Sequence, residues 1–360
     1  MRHWFNRQLA GVSLPVVLAT LALGAAGGGA AMALHLPLGM LLGALMAVGV
    51  ASALGARVGG RPLAVPQHWR FALVPVIGVA IGASFTPALV AQAPRWAFSI
   101  GALLVFVPLA HVMGYLIFAR WGGLARPTAF YAAMPGGLME SLHLGEEAGA
   151  DIQMLTLLQF LRLILCIVLV PVIFTIGTGH AVGSAAGTAM PGADVTAGPV
   201  DWLVMIAAGV VGVIGGKAAR LPAHIIVGPI LASAAAHMAG LTAAAPPGWT
   251  ILVTQWVVGT SLGARFAGIR GRTLWLALRL SLAAAAAMLT MGYGAALALH
   301  GLVDQPVAAL FLAYAPGGIS EMSLVALSLQ ISAVFVSVHH VVRVMIAIAM
   351  ARFLAGRLLR

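Results

Sequence analysis

Residues 133–141 read AMPGGLMES and residues 314–323 read YAPGGISEMS. Each motif sits in an apolar stretch, 127–150 and 305–331, and sets a proline and two glycines ahead of an acid. These are Pro135, Gly136, Gly137 and Glu140, then Pro316, Gly317, Gly318 and Glu321. Proline removes a backbone donor and clashes with the preceding turn, so a helix entering either stretch breaks there. Hydrocarbon cannot satisfy the backbone groups set free, and such breaks persist only where protein or water surrounds them.

Outward from the motifs, the chain proves to be duplicated. Pro316 lies 181 positions after Pro135, and that offset holds without a gap through Glu140/Glu321 to Arg162/Arg343. Upstream, Gly78, Gly82 and Phe85 match Gly259, Gly263 and Phe266 at the same offset, while Leu36, Pro37 and Gly43 match Leu221, Pro222 and Gly228 at 185. The duplication assigns a first membrane repeat to residues 1–180, a Gly/Ala/Thr-rich linker to 181–200 and a second membrane repeat to 201–360.

Composition decides the solvent. The 360 residues are 62% hydrophobic and 8% charged, and mean hydropathy is +1.06, well above the apolar share of roughly 45–50% in soluble domains. The single cysteine, Cys166, stands in an apolar run, so the sequence spells neither a disulfide framework nor a zinc cluster. A net charge of +11 would mark a polyanionic partner in a soluble protein. Here the cations flank apolar segments and report topology instead, and no nucleic acid is expected as a partner. No GxxxxGK[ST] sequence is present, which leaves nucleotide-driven pumping without support.

Apolar stretches long enough for a hydrocarbon core of about 30 Å recur at 12–32, 36–56, 71–92, 96–119, 151–177, 201–216, 221–241, 249–267, 273–299 and 332–356. The first follows Arg2 and Arg7 as a secretory signal does. It is read as a retained span because its counterpart, Asp201 to Lys217, lies mid-chain. If both Pro-Gly-Gly stretches are re-entrant, each half crosses five times and the repeats are inverted. Arg57, Arg61, Arg70, Arg120, Arg126, Lys217, Arg220, Arg265, Arg270 and Arg272 then share the cytoplasmic side with Arg2, Arg7, Arg352, Arg357 and Arg360, leaving Arg95 outside. Full crossing would move Lys217, Arg220, Arg265, Arg270 and Arg272 outside, against the positive-inside tendency. The expected fold is therefore all-α and polytopic, with two inverted-topology repeats of five transmembrane helices, each carrying a re-entrant or broken helix at PGGxxE.

An ionisable group inside a bilayer is costly and faces a partner or a watery cavity. Glu140 and Glu321 can each begin a half-helix, where the positive helix end favours a carboxylate. They read either as internal caps or as part of an ion or substrate site. Arg162 and Arg343 stand in mid-span and need a counter-charge, for which the repeated glutamates are the nearest candidates. His339 and His340 sit near Arg343, with Gln159 at the first-repeat position of His340. Histidine can change charge near neutral pH, or simply brace the arginine. Glu140 and His143 also spell ExxH, a di-iron spacing, but Leu324 replaces the histidine in the second copy. The substrate- or ion-binding set is thus Pro135, Gly136, Gly137, Glu140, Arg162, Pro316, Gly317, Gly318, Glu321, His340 and Arg343, with no metal, cofactor or catalytic residue.

The two PGGxxE motifs and the LPxxxxxG segments at Leu36 and Leu221 resemble, over essentially the whole chain, the AbrB family of bacterial inner-membrane proteins, which carries this internal duplication. Members bear two functional labels, regulator of gene expression and ammonia monooxygenase. The family shares its name with an unrelated soluble DNA-binding regulator, and nothing in this chain resembles that protein's fold. Inverted five-span repeats with broken helices are also similar to the cation/proton antiporter and anion transporter superfamily, which implies transport by fold analogy.

These readings lead to a secondary transporter of a small solute or ion, placed in the bacterial inner membrane with both termini cytoplasmic. The alternatives are a membrane-embedded sensor or regulator without transport and, third, a metal-dependent oxygenase. Expected partners are the lipid bilayer and a small-molecule or ion substrate, with room for a homo-oligomer.

Overall fold

A computed structural model describes residues 11–36, 38–179, 195–269 and 271–358. Arg2, Arg7, Pro37, Arg270, Arg360 and linker residues 181–194 lie outside the described residues. The first repeat supplies α1 (Leu14–Ala33), α2 (Gly39–Ala53), α3 (Gln67–Gly82), α4 (Ala97–Leu116), α5 (Arg126–Ala132), α6 (Leu138–Glu147) and α7 (Ile152–Thr178). The second supplies α8 (Pro199–Ala218), α9 (His224–Met238), α10 (Gly248–Gly263), α11 (Gly271–Leu299), α12 (Val307–Tyr314), α13 (Ile319–Ser328) and α14 (Ala333–Leu358). Seven helices are thus repeated in order. A two-stranded hairpin, Arg57–Val58 paired with Arg61–Pro62, is a small addition to the all-α expectation.

Each of the ten apolar stretches contains the expected helix. Among the described residues six segments are long and apolar enough to cross a membrane: Leu14–Ala33, Ala93–Trp121, Ile152–Gly177, Pro199–Ala218, Gly271–Leu299 and Ala333–Leu354. By contrast α2 and α9 have 15 residues and α3 and α10 have 16, or roughly 22–24 Å at 1.5 Å per residue. The apolar faces of α4 and α8 stay exposed, with Leu104, Val105 and Leu109 on one and Leu203, Ile206 and Ile214 on the other.

Helix ends follow local chemistry. Asp151 caps α7 by accepting the Met154 N–H at 3.0 Å, and Ser332, at the same place one repeat on, caps α14 by accepting the Phe335 N–H at 3.2 Å. The turn before α2 holds His35 and Leu38 at φ 54° and 47°, and the turn before α9 holds Arg220 and Ala223 at 53° and 49°. Four non-glycine residues in the left-handed region are costly, and they recur at an offset of 185. The LPxxxxxG segments encode this turn, after which small residues bring the helices together. A Cβ on Gly27 would meet the Gly43 carbonyl, and one on Gly212 would meet Gly228.

The described chain forms two compact units that cut across the repeats. One comprises residues 1–85, 171–270 and 327–330, the other 86–170, 271–326 and 331–360. In the first, Gly78 of α3 lies against the Ile226 carbonyl of α9, while Gly259 of α10 lies against the Leu41 carbonyl of α2. Adding 181 to 78 gives 259, and subtracting 185 from 226 gives 41, so each contact is the other with the repeats exchanged. The second unit contains both motifs.

Candidate functional site

In the first motif α5 ends at Ala132 and α6 begins at Leu138. Between them Gly136 and Gly137 take φ 144° and 70°, backbone that a side chain would strain. The chain then turns back. Ser141 of α6 donates to the Tyr131 carbonyl of α5 at 2.9 Å, and the Asp151 N–H, beyond α6, donates to Thr128 Oγ1 in the first turn of α5 at 2.9 Å. An element that crossed fully would hold these ends tens of ångströms apart. The α5–α6 element is therefore a hairpin that returns to where it began.

The arginines hold the breaks. Arg162 Nη1 donates to the Met134 carbonyl, and Arg343 Nη1 donates to the Ala315 carbonyl, the same contact 181 residues on. Arg343 Nη2 also donates to the Gly317 carbonyl at 2.9 Å. Both side chains are buried. Cations placed at the ends of α5 and α12 meet carbonyls that have no partner within the helix, where the helix dipole is negative. The next inward partner is also repeated. Gln159 Nε2 donates to the Tyr131 carbonyl at 2.9 Å, and His340 Nε2 bonds the Leu312 carbonyl at 2.9 Å.

This arrangement corrects the expected Glu/Arg pairing. Among the described residues neither Glu140 nor Glu321 forms an ion pair with an arginine; the pairs found are Arg95–Asp304 at 3.3 Å and His143–Glu147 at 3.4 Å, both exposed. Glu321 folds its Oε2 over Gly318, occupying the place a Cβ would take, and Glu140 Oε2 lies 3.3 Å from the corresponding point on Gly137. Each acid thus covers the N-terminal end of its own half-helix. Acid and arginine serve opposite helix ends, and the ExxH histidine faces Glu147.

The breaks also exchange between repeats. Gly136 and Gly137 lie against Val344 and Ile348 of α14, and Gly318, the counterpart of Gly137, lies against Leu163 of α7, the counterpart of Val344. Cys166, one helical turn after Arg162 on α7, is also buried. The Nε atoms of Arg162 and Arg343 are buried without a hydrogen-bond partner. The structure thus ties Arg162 to the first break and Arg343 with His340 to the second, packs each break against a helix of the other repeat, and turns the two glutamates back onto their own helices.

One cluster was only half visible in the sequence. Tyr314 Oη donates to the Ser99 carbonyl at 2.5 Å, and Ser99 Oγ lies 2.8 Å from His339 Nε2. Ser99 is 240 residues from His339, so spacing gives no hint of their meeting. The repeat offset does, because the first-repeat counterparts of His339 and Tyr314 are Leu158 and Ala133.

A family model described as transition state regulatory protein AbrB matches residues 49–359, a range that includes both motifs and both arginines. A Bacillus subtilis (strain 168) protein, YhjN, described as uncharacterized, is 27% identical over 292 residues, covering 76% of this chain and 74% of its own. An Escherichia coli (strain K12) protein named as a regulator, AbrB, is 25% identical over 302 residues, 82% of each chain.

Proposed function

The chain belongs to the AbrB family, and from the geometry of its paired breaks we propose that it is a secondary transporter of a small organic anion. The observation that carries this reading is the convergence of two buried guanidiniums without a paired carboxylate. Each guanidinium is offset in part by the half-helix end it caps, at roughly −0.5, and what remains of its charge is the proposed attraction for an anion. The orphaned Nε donors offer it hydrogen bonds.

The proposed architecture is two inverted repeats of five crossings, each with one re-entrant hairpin, in the bacterial inner membrane with both termini cytoplasmic. The fold-back from Thr128 to Asp151 supports an odd number of crossings per half, and the reciprocal contacts support a two-fold relation. The positive-inside tendency supports the orientation. A site on discontinuous helices beside such an axis suits alternating access.

The name of the Escherichia coli relative supports a second reading, a membrane sensor that binds the same anion without moving it. Uptake separates the two. Proteoliposomes holding the full chain are screened with radiolabelled small carboxylates, beside Arg162→Gln and Arg343→Gln. Transport predicts uptake of at least one carboxylate that both variants lose; binding without uptake favours the sensor.

A further inference from the structure

Three hydrogen bonds in the second compact unit need three hydrogens. Ser99 Oγ is 3.0 Å from the Trp96 carbonyl and 2.8 Å from His339 Nε2, and His339 Nδ1 is 2.8 Å from the Phe335 carbonyl. The two carbonyls only accept. A serine hydroxyl brings one hydrogen and a neutral imidazole one more. With two, one contact stays unmade; an imidazolium supplies the third and completes the set. Adjacent His340 behaves oppositely. Its Nε2 faces the Leu312 carbonyl and its Nδ1 faces Arg343 Nη2 at 3.3 Å, so the neutral ring with hydrogen on Nε2 satisfies both.

We propose that His339 is a proton-binding site that couples proton movement to the transport cycle, while His340 is a neutral brace for Arg343. His339, Ser99 and Tyr314 are buried, and at the 181-residue offset the other repeat places Leu158, Leu280 and Ala133. That repeat builds the same break and the same arginine contact without them, so the trio is not needed to hold the fold. The groups facing His339 are Ser99 from α4, Tyr314 from α12, and Phe335 and His340 of its own helix, with Arg343 beyond. None is a carboxylate, so protonation adds a positive charge beside the proposed anion site. A proton and an anion that enter together cancel, which makes symport the coupling this geometry favours. The assignment rests on the transport reading for its role, but the proton site itself is testable without a substrate.

The test is nitrogen NMR of the full chain, labelled in histidine, in lipid nanodiscs. The ring resonance missing from His339→Gln should pass reversibly from neutral to doubly protonated as the pH is lowered from about 8 to about 3. The ring missing from His340→Gln should stay neutral, with hydrogen on Nε2. Ser99→Ala should lower the His339 transition by about one pH unit, and it keeps the test valid should His339→Gln fail to fold. A His339 ring that stays neutral throughout, or titrates identically in Ser99→Ala, overturns the proposal. Neither result bears on carboxylate uptake, and a failed uptake screen leaves this titration standing.

Discussion

Arg343 stands 181 residues after Arg162, and each guanidinium reaches back 28 residues to the carbonyl that ends its own broken helix. The first repeat is thus a template for the second, even in its hydrogen bonds.

The two contacts are not equally rich. Arg343 holds both Ala315 and Gly317, and it also meets His340. A buried carbonyl left without its partner costs about 1–3 kcal/mol, so Arg343→Gln should destabilise by about 2–5 kcal/mol. Arg162→Gln should cost less. Arg343→Lys should not restore stability, because a lysine lacks the planar fork that spans two carbonyls. Thermal unfolding in detergent measures all three.

The glycines before the acids differ in kind. At Gly137 the obstacle is backbone, φ 70°, and Gly137→Ala should cost about 1–2 kcal/mol whatever stands at residue 140. At Gly318 the obstacle is the Glu321 carboxylate. Gly318→Ala should therefore cost about what turning that flexible side chain aside costs, and less still with Glu321→Ala. A double-mutant cycle that shows additivity would refute the fold-back of Glu321.

Reciprocal contacts in the other unit make a symmetric prediction. A methyl on Gly78 would strike the Ile226 carbonyl, and one on Gly259 would strike that of Leu41. Gly78→Ala and Gly259→Ala should each cost about 1–3 kcal/mol, and their thermal shifts should agree closely. A large effect at one with none at the other would contradict the proposed two-fold relation.

Hairpin closure can be tested by weakening its latch. Thr128→Val removes the acceptor of the Asp151 N–H and Asp151→Ala removes the α7 cap, each worth about 0.5–2 kcal/mol. Both should raise hydrogen exchange over 126–151 ahead of the long helices. The exposed Arg95–Asp304 pair is the contrast, since Asp304→Asn should change stability by under about 1 kcal/mol.

Much of this was legible because apolar length and the 181-residue offset are properties of the string. They placed the ten helices, the breaks and both arginines. The arginines' partners were not legible, because the acceptors are backbone carbonyls that no residue name announces. Glu140 looked like the counter-charge by proximity, yet its own helix offered a closer positive end. The exchange of Gly136 with Val344, and the meeting of Ser99 with His339, join segments hundreds of residues apart. Only comparing offset positions, histidine against leucine and tyrosine against alanine, flags the second.

The native Cys166 gives the most direct measurement, since it lies buried one helical turn after Arg162 on α7. In proteoliposomes, its labelling rate is compared for anionic and cationic thiosulfonates of matched size, added from either face. A positively charged site with alternating access predicts labelling from both faces, faster for the anionic reagent, with the preference lost in Arg343→Gln. Labelling from one face only, or at the same rate for both charges, would contradict it.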